Sequence, residues 1–277
     1  MIEHVRVEVR PRFDAASRTK DGFRISLIGR HHGGDVHTPS PQKPLSVRPP
    51  MILTVGNIKG GVGKTLLAVN IAAVLAHRGR DVLLVDGDEQ GSAATFAGIR
   101  AESAAPVAFA TIRLQGAAIR QQMKQIRNKY DEIVVDVGGR DTGSLRAALT
   151  IADVVLVPFQ PRSVDLWASG QVGALVAEAK AINDALRAYS LITLADTQGR
   201  DNEDALSALR GVEGIDAMPF VVGRRKAFPN AFSNGLSVVE HIPRDQKAVD
   251  ELLSVVDAPY TQDVHHDYSS GPQRKLG

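Results

Sequence analysis

Short apolar runs of Val, Ile and Leu recur along the chain from residue 51 onward. They predict seven strands, at residues 51–56, 81–86, 106–112, 131–137, 153–159, 189–195 and 218–223. Amphipathic stretches, most of them between these runs, predict helices at residues 64–78, 116–128, 143–151, 164–183, 203–210 and 243–256. Continuous apolar strands that alternate with helices are typical of a parallel sheet buried on both faces. We therefore predict an α/β fold in which a mainly parallel twisted sheet is flanked by helices.

The first fifty residues follow a different pattern. Residues 1–50 contain six prolines and carry nine Lys or Arg against five Asp or Glu, whereas the whole chain has a net charge of only +2. This composition predicts a basic, poorly ordered extension rich in Pro, Gly and His. The folded domain is predicted at residues 51–256, and the polar residues 257–277 are predicted to form a loose C-terminal tail.

Composition excludes several classes of protein. The 277 residues include no cysteine, which excludes disulfide scaffolds, cysteine-ligated metal sites and thiol nucleophiles. No apolar run approaches the roughly 18 residues that span a membrane, and residues 1–10 lack the apolar core of a secretory signal. We therefore expect a cytoplasmic protein. Because the positive charge is concentrated in residues 1–50, binding of the folded domain to nucleic acid would require a local basic patch.

A glycine-rich segment follows the first predicted strand. Residues 57–68 read NIKGGVGKTLLA, and the phosphate-binding pattern G-x-x-x-x-G-K-[ST] is matched at Gly63, Lys64 and Thr65. Its first glycine is missing, because the chain has Ile58 there. We expect Lys64 to act as a catalytic residue at the β- and γ-phosphates of a nucleotide, and the Thr65 hydroxyl to reach Mg²⁺. The candidate nucleotide contacts are Lys59, Gly60, Gly61, Val62, Gly63, Lys64, Thr65 and Leu66.

Carboxylates follow two of the other predicted strands. Asp86 and Asp88 lie at the end of one strand, and Asp136 lies near the end of another, just before Gly138 and Gly139. An aspartate placed like Asp136 reaches Mg²⁺ through water in phosphate-loop ATPases. The two glycines are predicted to bring backbone N–H groups near the γ-phosphate.

The string K-G-G-V-G-K-T at residues 59–65 resembles the deviant Walker A motif of the ParA/MinD superfamily of ATPases. The resemblance implies that ATP joins two copies into a dimer. It also implies that Lys59, the signature lysine of this motif, is a catalytic residue that crosses the interface to the partner's nucleotide. A second cation adds most when it is delivered from outside, because Lys64 already serves the loop's own phosphates.

The run DVLLVDGDEQG at residues 81–91 resembles the second motif of the same family, D-x-D-P-Q-G. By this resemblance Asp88 is the catalytic residue that orients the attacking water, and Asp86 helps to hold the Mg²⁺ shell. The predicted metal residues are therefore Thr65, Asp86 and Asp136. Glu89 stands where the family usually has proline.

Weaker similarities at residues 152–170 and 223–241 extend the resemblance over residues 51–256. Thr193 stands where an adenine-contacting asparagine is common, so the base contacts are left unassigned. The resemblance is closest to the ATPases that partition plasmids and chromosomes.

This resemblance implies a DNA-partitioning ATPase with ATP and Mg²⁺ as cofactors. It implies a homodimer in the ATP state that binds DNA non-specifically, and a small centromere-binding or cargo adaptor protein that stimulates hydrolysis. The candidate DNA-binding residues form a basic cluster: Arg224, Arg225, Lys226, Arg244 and Lys247. The expected location is cytoplasmic and nucleoid-associated. The tail 257–277 lacks the basic amphipathic helix that membrane binding would need.

Two alternatives stay open from the sequence. One is an ATP-binding regulatory or positioning module of the same family that acts on a cargo other than a plasmid. The other is a metabolic ligase built on the same phosphate-loop domain. A ligase would need a pocket for a second substrate and would show no effect of DNA.

Overall fold

The computed structural model describes residues 50–139, 142–161, 166–198 and 200–261. Each of the seven predicted strands overlaps a strand within this part of the chain. They are β1 (Met51–Gly56), β2 (Val82–Asp86), β3 (Ala110–Arg113), β4 (Glu132–Val137), β5 (Val154–Phe159), β6 (Arg187–Ala195) and β7 (Asp216–Gly223). The helices of the described residues are α1 (Lys64–His77), α2 (Ser92–Glu102), α3 (Ala117–Ile126), α4 (Thr142–Leu149), α5 (Leu166–Lys180), α6 (Asp201–Leu209), α7 (Ala227–Ser233) and α8 (Gln246–Thr261), with a 3₁₀ turn at Arg127–Lys129.

The strands form one sheet in the order β3-β2-β4-β1-β5-β6-β7, and every neighbouring pair is parallel. The predicted mainly parallel α/β fold is therefore confirmed. Strand β1 lies between β4 and β5, so the chain builds the sheet first on one side of β1 and later on the other. The carboxyl ends of the strands lie along one edge of such a sheet.

Both faces of the sheet are buried, which explains why the strands read as continuous apolar runs. Successive side chains of a strand point to opposite faces, so Leu53 packs with α1, α7 and α8 while Ile52 packs with α3, α4 and α5. Strands β1, β4 and β5 are buried along their whole length. No helix within the described residues is long and apolar enough to cross a membrane.

Two helices and several boundaries differ from the prediction; strand β3, for example, begins at Ala110 instead of at residue 106. Helix α2 and the seven-residue helix α7 were not predicted. Helix α8 begins at Gln246 and continues to Thr261, so five residues assigned to the loose tail are helical. Residues 1–49 of the predicted extension 1–50, and the rest of the tail, lie outside the described residues. The division into domains stays a prediction.

A buried ion pair fixes the segment between α7 and α8 to the rest of the fold. The Arg100 guanidinium donates to both carboxylate oxygens of Glu240, at 2.8 and 2.7 Å, and both side chains are almost fully buried. Glu240 also accepts a hydrogen bond from the Ser237 N–H and contacts the His77 ring nitrogen Nε2 at 2.9 Å. This carboxylate therefore joins α1, α2 and the segment before α8.

Candidate functional site

The loop between β1 and α1 lies where the order of the strands reverses. Strand β1 is paired with β4 on one side and with β5 on the other, and in open parallel sheets ligands bind outside the carboxyl ends of the strands at such a point. Two predicted carboxylates lie at the same edge. Asp86 is the last residue of β2, and Asp136 of β4 lies directly opposite it in the ladder. The fold thus brings the glycine-rich loop and these acids together.

Backbone geometry requires glycine at two positions of this loop. Gly61 and Gly63 have φ angles of 75° and 81°, in the left-handed region that residues with a Cβ rarely adopt. Gly63 immediately precedes α1, so the first N–H groups of this helix point toward the loop. This is the arrangement that binds phosphate at a helix N-terminus.

Buried side chains on neighbouring strands hold the loop in place. The Asn57 side chain accepts a hydrogen bond from the Lys59 N–H at 3.0 Å and donates to the carbonyl of Pro158 at 2.7 Å. The Thr193 hydroxyl donates to the carbonyl of Val62 at 2.7 Å. Thr193, left unassigned from the sequence, is therefore a brace of the loop in this structure.

Two contacts that hold the loop were not predicted from the sequence. Asn57 and Pro158 are 101 residues apart, and the Gln160 side chain donates to the carbonyl of Gly61 across 99 residues. The position of Asn57 directly after a buried strand was the available signal, because a polar side chain there must find a hydrogen-bond partner. Nothing local to Gln160 indicates its contact.

The Lys64 ammonium is buried beside the acids. It donates to the carbonyl of Lys59 at 2.8 Å, so it folds back onto its own loop. Burial lowers the pKa of this ammonium, and the Asp136 and Asp88 carboxylates offset that effect only in part. A buried ammonium that donates to a loop carbonyl is well suited to exchange that hydrogen bond for bonds to phosphate oxygens. The position of the Lys59 side chain across a dimer interface stays a prediction.

The Asp136 carboxylate is fully buried, and neither oxygen accepts a hydrogen bond from the described residues. Burial raises its pKa to about 7; the nearby Thr65 hydroxyl, without hydrogen-bond geometry, and the Lys64 ammonium lower it in part, while Asp86 and Asp88 raise it further. Such an orphaned carboxylate fits a cation, because a buried charge without a partner is costly.

The described residues contain no group of three or more His, Cys, Asp or Glu side chains suited to hold a metal ion alone. Mg²⁺ in nucleotide sites is typically bound by one or two carboxylates together with phosphate and water oxygens. The residues that fit such an ion at this edge are Thr65, the second residue of α1, and Asp136, which lies opposite Val55 of β1 just before the glycine-rich loop.

The Asp86 carboxylate accepts hydrogen bonds from two backbone N–H groups. One oxygen accepts the Asp88 N–H at 3.1 Å, and the other accepts the Ala94 N–H at 2.7 Å, in the first turn of α2. These bonds make Asp86 a brace for the turn that carries Asp88. Its predicted contribution to the Mg²⁺ shell stays a prediction.

Asp88 is half-buried and contacts the turn that follows β4. A Cβ atom added at Gly138 would overlap the Asp88 carboxylate, and one added at Gly139 would lie 2.6 Å from the carbonyl oxygen of Ile58. Only glycine allows these approaches. Residues 138 and 139 after β4 therefore contact both the turn that carries Asp88 and the glycine-rich loop. A displacement of that turn can thus shift the loop, and the reverse.

An apolar cavity of about 340 Å³ opens beside the glycine-rich loop. Gly63 and Leu66 form one wall, Thr193 and Leu194 another, and residues 222–229 close it. Leu194 has a φ of 51°, an uncommon conformation for a residue other than glycine. Strain of this kind clusters at ligand sites. The cavity is of the size and polarity that suit a planar base attached to a phosphate chain.

The five predicted DNA-binding cations are not equivalent. Four are exposed: Arg224, Lys226, Arg244 and Lys247. Arg225 is half-buried and donates to both oxygens of Glu251, at 3.0 and 2.5 Å, with Asp245 nearby. The hydrogen bond that Arg225 donates to Glu251 raises the pKa of this guanidinium, and burial opposes the rise. Contact of all five residues with DNA stays a prediction. Arg225 is the least suited of them, because Glu251 neutralises its charge.

With this geometry in place, comparison with known proteins identifies the family. Residues 53–247 match the profile described as the CobQ/CobB/MinD/ParA nucleotide binding domain. The chain belongs to this family. The predicted membership of the ParA/MinD superfamily is thereby confirmed, and the glycine-rich loop and the three aspartates lie inside the matched residues.

Relatives within the family carry names of positioning proteins. The chain is 29% identical over 208 residues to "Maintenance of carboxysome distribution protein A" of Halothiobacillus neapolitanus, covering 74% of this chain and 94% of that protein. It is 30% identical over 221 residues to "Chromosome-partitioning ATPase Soj" of Thermus thermophilus, covering 69% of this chain and 88% of that protein. These similarities support a positioning or partition ATPase.

Solved structures of the family share the fold. The ATP complex of a McdA variant from Cyanothece superposes with a TM-score of 0.63 at 15% identity, covering 77% of this chain and 97% of that one. Cobyrinic acid a,c-diamide synthase of Mycobacterium smegmatis, with bound ADP and magnesium, superposes with a TM-score of 0.61 at 20% identity, covering 80% and 96%. At such identities the likeness extends to the fold alone.

Proposed function

We propose that this protein is a ParA-type ATPase that partitions DNA, such as a plasmid or another mobile element, by a cycle of ATP binding and hydrolysis. The observation that carries the proposal is the closeness of the buried Lys64 ammonium to the buried Asp136 carboxylate at the switch point of the sheet, where the oxygens of Asp136 have no hydrogen-bond partner among the described residues. The names of its relatives favour positioning over other uses of such a site.

In this proposal the loop binds the triphosphate of ATP. Backbone N–H groups of residues 60–66 cradle the phosphates, and Lys64 leaves the Lys59 carbonyl to contact the β- and γ-phosphates. Thr65 and Asp136 hold Mg²⁺, with Asp86 behind them. The ion, when bound, neutralises charge on the phosphate oxygens. The adenine enters the apolar cavity beside Leu66, and residues 222–229 contact it.

Hydrolysis requires a positioned water and a second cation. Asp88 is the candidate that orients the water, since its carboxylate lies against Gly138 at the γ-phosphate end of the loop. Lys59 of the facing copy supplies the second cation across a homodimer interface. Turnover by the isolated protein is slow, because a small centromere-binding or cargo adaptor protein is needed to complete the site.

Binding of DNA completes the cycle. The exposed cations of residues 224–247 contact the phosphate backbone in the ATP-bound dimer without reading sequence. The dimer is then held on nucleoid DNA in the cytoplasm until hydrolysis separates the two copies. The carboxyl edge of the sheet carries both the nucleotide site and the loop that bears Arg224 and Lys226, so nucleotide state and DNA binding are physically adjacent.

The metabolic alternative is favoured by one observation. The diamide synthase of Mycobacterium smegmatis shares the fold. A regulatory module that binds ATP without useful hydrolysis is favoured by Glu89, which replaces the proline usual in the second motif. The ligase alternative predicts that DNA has no effect on the protein.

The test measures DNA retention by the purified protein on a random-sequence duplex, with ATP, ADP or no nucleotide, at several salt concentrations. Wild-type protein should bind with ATP only, and the logarithm of its affinity should fall with the logarithm of salt with a slope of about −4 for each copy. Arg224→Ala/Lys226→Ala should reduce that slope by about 2 for each copy. The matched control Lys124→Ala/Lys129→Ala, which removes two exposed cations elsewhere, should not change it.

Asp88→Ala separates binding from hydrolysis. This variant should keep ATP-dependent DNA retention and lose turnover, since nucleotide binding does not need the water to be oriented. Retention that is the same with ATP, ADP and no nucleotide, or that is absent from a protein shown to bind ATP, would refute the partition proposal. Activity only with a second small substrate would support the ligase.

A further inference from the structure

The turn that carries Asp88 has no proline at its centre and is held by hydrogen bonds, one of them from the Gln90 N–H to the Asp88 carboxylate at 3.0 Å. The Gly91 N–H donates to the carbonyl of Asp88 at 3.1 Å, which closes a β-turn with Glu89 and Gln90 in the two central positions. Proline is favoured at the first central position because its ring fixes φ near the required value. Glu89 is exposed and restricts φ no more than any ordinary residue. Contacts from outside the turn can therefore add to the restraint that its own hydrogen bonds supply.

Arg113 supplies such contacts from the neighbouring strand. It is the last residue of β3 and lies opposite Asp86 in the ladder, so its backbone is fixed beside the start of the turn. Its Nη2 donates to the carbonyl of Glu89 at 3.2 Å. A Cβ atom added at Gly91 would lie 3.0 to 3.3 Å from the guanidinium carbon and both terminal nitrogens, so this planar group covers the Gly91 backbone.

We propose that Arg113 is a positioning residue that holds the Asp88–Gly91 turn in the geometry needed for hydrolysis. One planar side chain binds the carbonyl in the middle of the turn and packs on the glycine that ends it. Arg113 restrains the backbone of the turn through contacts from a neighbouring strand, whereas a proline at position 89 would restrain it through its own ring. The inference rests on the proposed function, since it assumes that Asp88 acts on the attacking water.

The position of this contact predicts an effect on turnover more than on stability. Arg113 and Glu89 are both exposed, and exposed polar contacts contribute little to the free energy of folding. A displacement of a catalytic group by about 1 Å can nevertheless cost up to about a hundredfold in rate. Lysine could not replace arginine fully, because a point charge cannot both donate to Glu89 and lie flat on Gly91.

The test compares Arg113→Ala with Arg113→Ala/Glu89→Pro. Arg113→Ala should lower kcat about tenfold while the Kd for a fluorescent ATP analogue changes less than about twofold. Amide exchange at Gly91 should become faster. Adding Glu89→Pro should restore both kcat and slow exchange, since among the described residues the Glu89 N–H donates no hydrogen bond that proline would remove. Arg210→Ala, which removes an exposed arginine elsewhere, should change neither.

Three results would overturn the proposal. They are an unchanged kcat and exchange rate in Arg113→Ala, a lost kcat that stays lost when Glu89→Pro restores slow exchange, and a melting temperature that falls in parallel with kcat. Glu89→Pro alone should keep wild-type turnover, which shows that the turn accepts proline. If the wild-type protein hydrolyses no ATP, the proposed function fails, and the exchange measurements still decide whether Arg113 holds the turn.

Discussion

Buried polar side chains in this protein differ in whether the chain itself completes their hydrogen bonds. Asn57 and Glu240 are buried and fully engaged, and each joins segments more than 100 residues apart. Asp136 is equally buried, and its two oxygens have no hydrogen-bond partner among the described residues. Because an unsatisfied buried carboxylate is destabilising, the presence of Asp136 beside Lys64 indicates a ligand-binding site.

Glu240→Gln tests the structural kind of buried carboxylate. Burial alone raises the pKa of Glu240, but the hydrogen bonds from Arg100 and Ser237 outweigh it, so the folded pKa lies below the ordinary 4.5. A lowered folded pKa gives stability that is present above pH 4.5 and is lost as pH falls through the folded value. At neutral pH, Glu240→Gln should reduce the free energy of unfolding by about 2–4 kcal/mol, because Arg100 loses its buried counter-charge.

Urea unfolding between pH 7 and pH 3 measures this effect. The difference between wild type and Glu240→Gln should shrink below pH 4.5 as the wild-type carboxylate takes up its proton. Glu178→Gln is the matched control: Glu178 also pairs with an arginine, but both side chains are more than half exposed, so the change should stay within about 0.5 kcal/mol. A difference that does not depend on pH would show that the charge of Glu240 is not the cause.

At the scale of helices and strands, the sequence predicted what depends on local pattern. All seven strands were found. The inner strands are buried on both faces and are continuous apolar runs, and the partly exposed edge strands β3 and β7 still lie in apolar stretches of the sequence. Helix α2 was missed because SAATFAGIRAE buries only three of its side chains and contains glycine, serine and threonine, which are weak helix formers. Helix α7 was missed because it has only seven residues and contains Pro229. Both helices owe their position to packing against α1.

In the candidate site, too, some residues could be predicted from the local sequence and others could not. The glycine-rich loop and the three aspartates were predictable, because each follows a strand and parallel strands end at one edge. The braces at Asn57, Gln160 and Thr193, and the contact of Arg113 with the Asp88 turn, join residues that are far apart in sequence or on different strands. Such contacts depend on the three-dimensional arrangement of elements, which no local pattern contains.

Gly138→Ala tests the contact between the turn after β4 and the turn that carries Asp88. The new methyl group would overlap the Asp88 carboxylate and displace it. We expect kcat for ATP hydrolysis to fall about 10- to 100-fold, with the affinity for nucleotide retained, because the nearest contacts of the added methyl group are atoms of Asp88 and not of the glycine-rich loop.

Gly98→Ala is the control for this substitution. Gly98 lies exposed in α2, and an added Cβ would meet nothing within 4 Å. The change should leave kcat unaltered and stabilise the protein by up to about 1 kcal/mol, since alanine is the better helix former. Equal turnover in Gly138→Ala and Gly98→Ala would show that Asp88 has no fixed place in hydrolysis.

For the molecule as a whole, one edge of the sheet carries both the proposed adenine cavity and two of the proposed DNA contacts. The cavity proposed for the adenine is closed by residues 222–229, and the same segment bears Arg224 and Lys226. Arg225, between them, is anchored to Glu251 of α8. A base that fills the cavity would thus order a segment whose outer side carries the proposed DNA contacts. This adjacency gives a physical route from nucleotide to DNA within one copy.

The proposed role of Lys59 is a property of two molecules and needs a test with two. In a symmetric dimer each nucleotide would meet Lys64 of its own copy and Lys59 of the other. Lys59→Ala and Lys64→Ala should each abolish turnover alone. A mixed dimer keeps one complete site, formed by Lys64 of the first variant and Lys59 of the second. Random mixing should therefore restore about a quarter of wild-type activity, because half of the dimers are mixed.

Two different affinity tags allow the mixed dimers to be isolated and their turnover measured directly. Purified mixed dimers should show about half of the wild-type rate per dimer. If Lys59 acted on the nucleotide of its own copy instead, a mixed dimer would hold two defective sites and stay inactive. Mixed dimers that form with ATP and still fail to hydrolyse it would therefore exclude the exchange of Lys59 between copies, whatever becomes of DNA binding.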